Sequence, residues 1–163
     1  MSLINYFQSE NLIELGTSIG LNTLYLSKGM HVKHLATFEG NPDLAGLALT
    51  HFKAFSKDGI QLVAGDIGYT LPEYLEKADP VDFAFLDAHH TAEATLRYLA
   101  MLMPRLTERS VIVIDDIYWS AGMTQAWKRI TEDHHEYLYL DLLKMGVMIR
   151  DKNAPQGYYV LSY

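Results

Sequence analysis

The chain has 163 residues, 49% hydrophobic and 20% charged, which suits one folded domain with its own buried core. The absence of cysteine excludes disulfides, thiolate catalysis and cysteine-based zinc or iron–sulfur sites, and makes a reducing, cytoplasmic setting the expectation. A net charge of −7 with scattered Lys and Arg leaves no basic stripe for a nucleic acid, and no run reaches the ~20 apolar residues of a membrane span.

Met1-Ser2-Leu3 stands almost against the first strand, which leaves open whether native residues precede it. Ile4 to Gln8 reads as a helical turn and Asn11 to Leu15 as a buried strand. Gly16-Thr17-Ser18-Ile19-Gly20 is a small-residue loop, and Leu21, Leu24 and Tyr25 recur at helical spacing in a helix from Leu21 to Lys28 that Gly29 closes. His34 to Glu39 is a second strand. Asn41 then caps a helix that has Pro42 in its first turn and runs to about Phe55, with Leu44, Leu47, Ala48 and Phe52 on one face. Lys57-Asp58-Gly59 is a turn, Ile60 to Ala64 a third strand, and Leu71 to Lys77 a short helix.

Val81 to Leu86 is a fourth strand, followed by a helix over Thr91 to Met103 that carries Ala94, Leu96, Leu99 and Leu102 and stops at Pro104. Val111 to Ile114 is a β-branched strand, buried on both faces, and Met123 to Glu132 a helix with Trp127 and Ile130 inward. Tyr137 to Leu143 and Val147 to Arg150 form a hairpin across Lys144 to Gly146, and Tyr158 to Ser162 is a last strand. Strands alternating with helices predict an α/β domain: a doubly wound, mostly parallel sheet with a C-terminal antiparallel hairpin.

In such sheets ligands bind beyond the carboxyl ends of the strands. After strand one comes the glycine loop. After the next four come Glu39, Asp66, Asp87 and the pair Asp115-Asp116. A loop entering a helix there suits a negatively polarised group, Glu39 can accept two ribose hydroxyls, and Asp66 can accept an exocyclic amine. If strands four and five are neighbours, Asp87 and Asp115 end side by side and repel, unless a cation or a shared proton intervenes.

Glu14-Leu15-Gly16-Thr17-Ser18-Ile19-Gly20 resembles motif I of the class I S-adenosylmethionine-dependent methyltransferases, with Ser18 where a middle glycine is common. Glu39, Gly65-Asp66 and the Asp87 strand fall where the later motifs of that family belong. The resemblance implies S-adenosylmethionine as cofactor, held by Glu14, Gly16, Thr17, Ser18, Gly20, Glu39, Gly40, Asp66, Ile67 and Asp87 in a Rossmann-like domain spanning the chain. The segments Phe85-Leu86-Asp87-Ala88 and Ile114-Asp115-Asp116 resemble the catechol and caffeoyl-CoA type of small-molecule O-methyltransferase. That type implies Asp87, Asp115 and Asp116 as ligands of a divalent cation, for which oxygen donors favour Mg²⁺, Ca²⁺ or Mn²⁺. His90, three residues after Asp87, stands where the type often carries a lysine, and with Asp87 forms the expected catalytic pair, since imidazole changes charge near neutral pH. Tyr118 and Trp119 either wall a flat substrate or pack in the core, whereas His134 and His135 read as solvated.

Transfer of a methyl group to a small-molecule hydroxyl is the function these residues imply. A nicotinamide-dependent oxidoreductase with Glu39 on the ribose is one rival, although the Gly16–Gly20 spacing fits a dinucleotide poorly. A non-catalytic binding or assembly module is the other. So little chain precedes strand one that no substrate cap is expected there, and the C-terminal Tyr158-Tyr159-Val160 segment is a candidate edge for a homodimer or another partner.

Overall fold

The computed structural model describes residues 2–57 and 59–161. It runs α1 (Leu3–Phe7), β1 (Asn11–Leu15), α2 (Leu21–Leu26), β2 (His34–Glu39), α3 (Pro42–Ala54), β3 (Ile60–Ala64), α4 (Ile67–Leu75) and β4 (Val81–Leu86). Then come α5 (Ala92–Leu102), a 3-10 turn (Met103–Arg105), β5 (Leu106–Ile114), α6 (Ala121–Asp133), β6 (Leu138–Asp141), β7 (Gly146–Arg150) and β8 (Gly157–Val160). The strands form one sheet in the order β3-β2-β1-β4-β5-β7-β6-β8. Among the described strands only β7 opposes the rest: it pairs antiparallel with β5 and β6, while β8 lies parallel to β6 at the edge. The expected architecture is present, and the strand order reverses between β1 and β4.

Side-chain caps set where the helices start. The Asn41 amide oxygen accepts from the backbone N–H groups of Asp43 and Leu44, and the Thr91 and Ser120 hydroxyls accept from Ala94 and Met123. Each such cap contributes about 1 kcal/mol. Asp66 does the same for α4 through Gly68 N–H, so that helix begins at Ile67 rather than at Leu71. β5 begins at Leu106, five residues before the β-branched run, because it continues to pair with β4 at Val81. Residues Asp58, of the predicted Lys57–Gly59 turn, and Ser162, of the predicted last strand, lie outside the described residues.

Alternation along the strands builds two cores. Ile13, Leu15, Phe38, Leu86, Ile112 and Ile114 face α4, α5 and α6, while Leu12, Leu35, Phe83, Val111, Val113 and Ile149 face Ile4, Phe7 and Leu26. Each large side chain fully withdrawn from water contributes about 2 kcal/mol, so β5 is held from both sides. Trp127 is buried as expected, edge-on to Tyr139 at 5.7 Å. The inner helix faces differ from the sequence pattern in three places. In α3 the buried residues are Ala45, Ala48 and Phe52, with Leu47 exposed; in α2 Leu24 and Leu26 are buried, with Leu21 and Tyr25 exposed. In α5 Thr95 and Tyr98 join Leu99 and Leu102 in the core. The small inner residues of α3 let that helix approach the sheet closely, which apolarity alone does not reveal.

Candidate active site

The parallel ladder runs one residue past each strand end and levels the groups that follow. Gly16 and Thr17 N–H both donate to Phe38 O at 3.0 Å, Asp87 N–H donates to Leu15 O at 2.8 Å, and Asp115 N–H to Leu86 O at 2.9 Å. Gly65 N–H reaches Glu39 O at 2.9 Å. The loop, Glu39, Asp66, Asp87 and Asp115 therefore share one rim at the point where the strand order reverses.

A cleft of about 610 Å³ opens there, lined by Gly16, Ser18, Phe38, Glu39, Gly40, Asn41, Asp66, Ile67, Asp87, Ala88, His89 and His90. This size is ordinary for a small-molecule site. A second groove, of about 570 Å³, runs from Asn11 and His34 along β3 and α4 to Ala64 and Thr70, and none of these groups lines it.

Gly16 sits at φ +100°, and a Cβ there would come within 2.2 Å of the Asp87 carbonyl oxygen, so only glycine permits the loop to cross β4. Ser18, His89, His90 and Asp116 also adopt left-handed φ values, between 41° and 63°. Such backbone costs on the order of 1 kcal/mol per residue, and its clustering at one rim is typical of functional sites. Glu39 accepts from Ser18 N–H at 2.7 Å through one oxygen and from Asn41 N–H at 2.8 Å through the other, which aims the carboxylate across the cleft and leaves further lone pairs free.

Three residues expected to touch the cofactor are buried and do not line this cleft: Glu14, Thr17 and Gly20. Glu14 has no exposure and does not line the cleft. Its carboxylate takes Asn22 Nδ2 at 2.8 Å, Thr37 Oγ1 at 2.5 Å and the Thr23 hydroxyl. Since the Thr37 proton goes to Glu14, Thr17 donates across the 2.6 Å contact to Thr37. Thr17 is likewise buried, and Gly20 starts α2 against the Phe52 ring. Glu14 thus ties β1, β2, the loop and α2 together, and its burial pushes its carboxyl above the ordinary range. For Glu14 the cause is simple: residues alternate across a strand, and the face on which it points is covered by α2.

At the other end of the rim His90 stands between two carboxylates. Its Nε2 lies 3.3 Å from Asp87 Oδ1 and its Nδ1 3.7 Å from Asp116 Oδ2. The Trp119 ring is 6.3 Å from the imidazole, and both Trp119 and Tyr118 are exposed, which favours the wall over the core for this pair. Burial and the neighbouring Asp115 carboxylate push the Asp87 carboxyl up to about 6, against the attraction of His90. His89 also borders the cleft, but its Nδ1 lies 3.2 Å from Tyr98 OH rather than against the carboxylates.

Asp87, Asp115 and Asp116 share the rim, but their side chains do not fit a divalent ion. Asp115 Oδ1 accepts Asp116 N–H at 2.9 Å, and Lys144 Nζ lies 3.8 Å from Asp115 Oδ2 and 3.7 Å from Asp116 Oδ1. Among the described residues no group of three or more His, Asp or Glu side chains is arranged to hold a metal. Lys144 is the residue the sequence pattern did not single out. It comes from the β6–β7 turn, which the pairing of Ile114 with Gly146 brings beside the rim. Asn41, Ala88 and His89 are further lining residues it did not single out, each adjacent to one that it did.

A family model described as a methyltransferase domain matches residues 13–117, from β1 to the loop beyond β5. The chain is 27% identical over 123 residues to catechol O-methyltransferase of Mycobacterium tuberculosis, a match covering 74% of this chain; the chain spans about half, 54%, of that relative. Among solved structures it resembles the O-methyltransferase from Bacillus cereus in complex with SAH, at TM-score 0.74 and 19% identity, over 90% of this chain and 77% of that one. TomG from Streptomyces achromogenes, an O-methyltransferase in complex with SAM, aligns at TM-score 0.75 and 16% identity over 91% and 76%. An rRNA methylase from Streptococcus thermophilus aligns at 0.68 and 14% over 91% and 94%. The match from the first strand through the acidic pair, on a sheet with this order and rim, shows that the chain belongs to the methyltransferase-domain family.

Proposed function

We propose that this protein transfers the methyl group of S-adenosylmethionine to a hydroxyl oxygen of a small molecule. The observation that carries the proposal is one cleft at the strand-order reversal with Glu39 at one end and His90, bracketed by Asp87 and Asp116, at the other. The printed identities of the relatives, a catechol O-methyltransferase and O-methyltransferases crystallised with SAM or SAH, support it.

The residues present suit such a cofactor. Glu39 would accept from the ribose hydroxyls and Asp66 from the adenine amine beside Ile67, with Gly16, Ser18, Gly40 and Asp87, which line the same cleft, bordering the remainder. When bound, S-adenosylmethionine supplies a methyl on a cationic sulfur, and the C–S electron pair leaves with the sulfur as the O–C bond forms. His90 takes the proton of the acceptor hydroxyl, and its neighbouring carboxylates stabilise the imidazolium that results. Trp119 and Tyr118 hold a flat acceptor against the rim, so that positioning supplies much of the rate. The acidic rim and the net charge of −7 disfavour a polyanionic acceptor. The cytoplasm is the compartment this reading carries, supported by the absence of cysteine; no described helix is long and apolar enough to cross a membrane.

Isothermal titration with S-adenosylhomocysteine and with NAD is the direct test. Binding of the former alone is expected, and binding of NAD alone would overturn the proposal. Methyl transfer to a panel of phenols and hydroxy acids, with His90→Ala as control, then tests the base; full activity in that variant removes His90 from the mechanism.

A further inference from the structure

The type of enzyme that this rim resembles uses a divalent cation, and the side chains here put another positive group at the same oxygens. Mg²⁺, Mn²⁺ and Ca²⁺ need carboxylate oxygens at roughly 2.0 to 2.6 Å. The outer oxygens of Asp115 and Asp116 are the ones a shared ion would take, and both face the Lys144 ammonium, at 3.8 and 3.7 Å. Three of the four remaining oxygens are engaged as well: Asp115 Oδ1 holds a backbone N–H, Asp116 Oδ2 faces His90, and so does Asp87 Oδ1.

The backbone that delivers Lys144 is pinned. Lys144 O accepts Ile117 N–H at 3.0 Å, directly after the acidic pair, and Lys144 N–H donates to Leu142 O at 2.8 Å. Leu142 N–H closes the turn on Met145 O at 2.9 Å, and buried Asp141 fixes it from below through Leu143 N–H at 2.9 Å. The turn therefore holds the lysine backbone against the rim, while the side chain, 70% exposed, keeps ammonium N–H donors free.

We propose that Lys144 is a built-in cation: its ammonium neutralises the Asp115–Asp116 pair in place of a divalent ion and donates to the acceptor oxygen during methyl transfer. An ammonium is a compact point charge with three donors, so it can serve both carboxylates and a third oxygen together. It keeps its protons throughout, and the hydroxyl proton still goes to His90. The catalytic half of this inference rests on the methyl-transfer proposal, whereas the exclusion of the ion does not.

The test is Mn²⁺ binding, followed by electron paramagnetic resonance of MnCl₂ titrated into the wild type, Lys144→Gln and Lys144→Arg, each with and without S-adenosylhomocysteine. The wild type and Lys144→Arg should bind Mn²⁺ only weakly, while Lys144→Gln, with its like charges unbalanced, should bind it at least about tenfold more tightly. Thermal melting of the variants checks that the exposed substitution leaves the fold intact. Where an acceptor is in hand, the wild-type rate should be the same in EDTA, fall about tenfold or more in Lys144→Gln, and recover in part in Lys144→Arg. Tight Mn²⁺ binding by the wild type, a rate lost in EDTA, or a Lys144→Gln variant that binds Mn²⁺ no better than the wild type would each overturn the inference. Failure of S-adenosylhomocysteine to bind sinks the methyl-transfer proposal instead and leaves the cation measurement standing.

Discussion

Tyr118 donates its phenolic proton to Asp141, a carboxylate with no exposure to solvent. The same oxygen accepts the Tyr158 phenol, which in turn takes Trp127 Nε1–H at 3.3 Å, so one buried acid joins the rim loop, the β6–β7 turn, α6 and the edge strand. Burial works to raise the Asp141 carboxyl, but the hydrogen bonds from Tyr118, Tyr158 and Leu143 N–H prevail and hold it below the usual carboxylate range. Asp141→Ala leaves these donors without their partner and is expected to destabilise by about 2–4 kcal/mol, whereas Tyr118→Phe or Tyr158→Phe costs about 1. Urea unfolding measures all three, and an Asp141→Ala protein as stable as the wild type would show that the cluster does not hold the loop.

Gly16→Ala forces a methyl to within 2.2 Å of the Asp87 carbonyl oxygen at a φ that side chains disfavour. The expected loss is about 2 kcal/mol or more, with S-adenosylhomocysteine affinity lost alongside. Calorimetric melting and titration check both; an unchanged affinity places the ligand elsewhere.

The Asp87 carboxyl is pushed from 3.8 to about 6, so in that window the folded protein holds more protons than the unfolded chain. Stability from this group therefore falls as pH rises from about 4 to about 6, and buried Glu14, whose carboxyl is also raised, adds in the same direction. Asp141, being lowered, acts oppositely only below 3.8. Asp87→Asn removes the first contribution, so the variant should gain stability on the wild type across that range. Paired denaturation curves at pH 4, 5 and 6 measure it, and a difference that stays flat rejects the assignment.

Glu39 and Glu14 should separate ligand contact from loop support. Glu39→Ala is expected to weaken S-adenosylhomocysteine binding about 10- to 100-fold with little change in melting, because the carboxylate is partly exposed. Glu14→Ala should lower both, since Asn22, Thr23 and Thr37 lose one buried acceptor. Equal behaviour of the two variants would contradict the division.

Much of this protein was legible along the chain. Alternation of strands and helices, glycine at positions 16 and 20, and acids after the strands at 39, 66, 87 and 115 follow from local rules, because each strand end projects its next residue onto the same rim. The run of four β-branched residues, Val111 to Ile114, foretold the burial of β5 on both faces. What the chain could not show by itself depends on partners distant in sequence. Glu14 has the right spacing for a cofactor contact, yet its strand face is closed by α2, so it serves the loop from beneath. Leu47 looks apolar enough for the core, but close packing chose Ala45 and Ala48. Lys144 and Asp141 carry no signal of their own within the predicted hairpin; the antiparallel pairing of β7 with β5 sets an ammonium against Asp115 and Asp116. Local propensity wrote the rim, and long-range strand pairing decided which charges balance it.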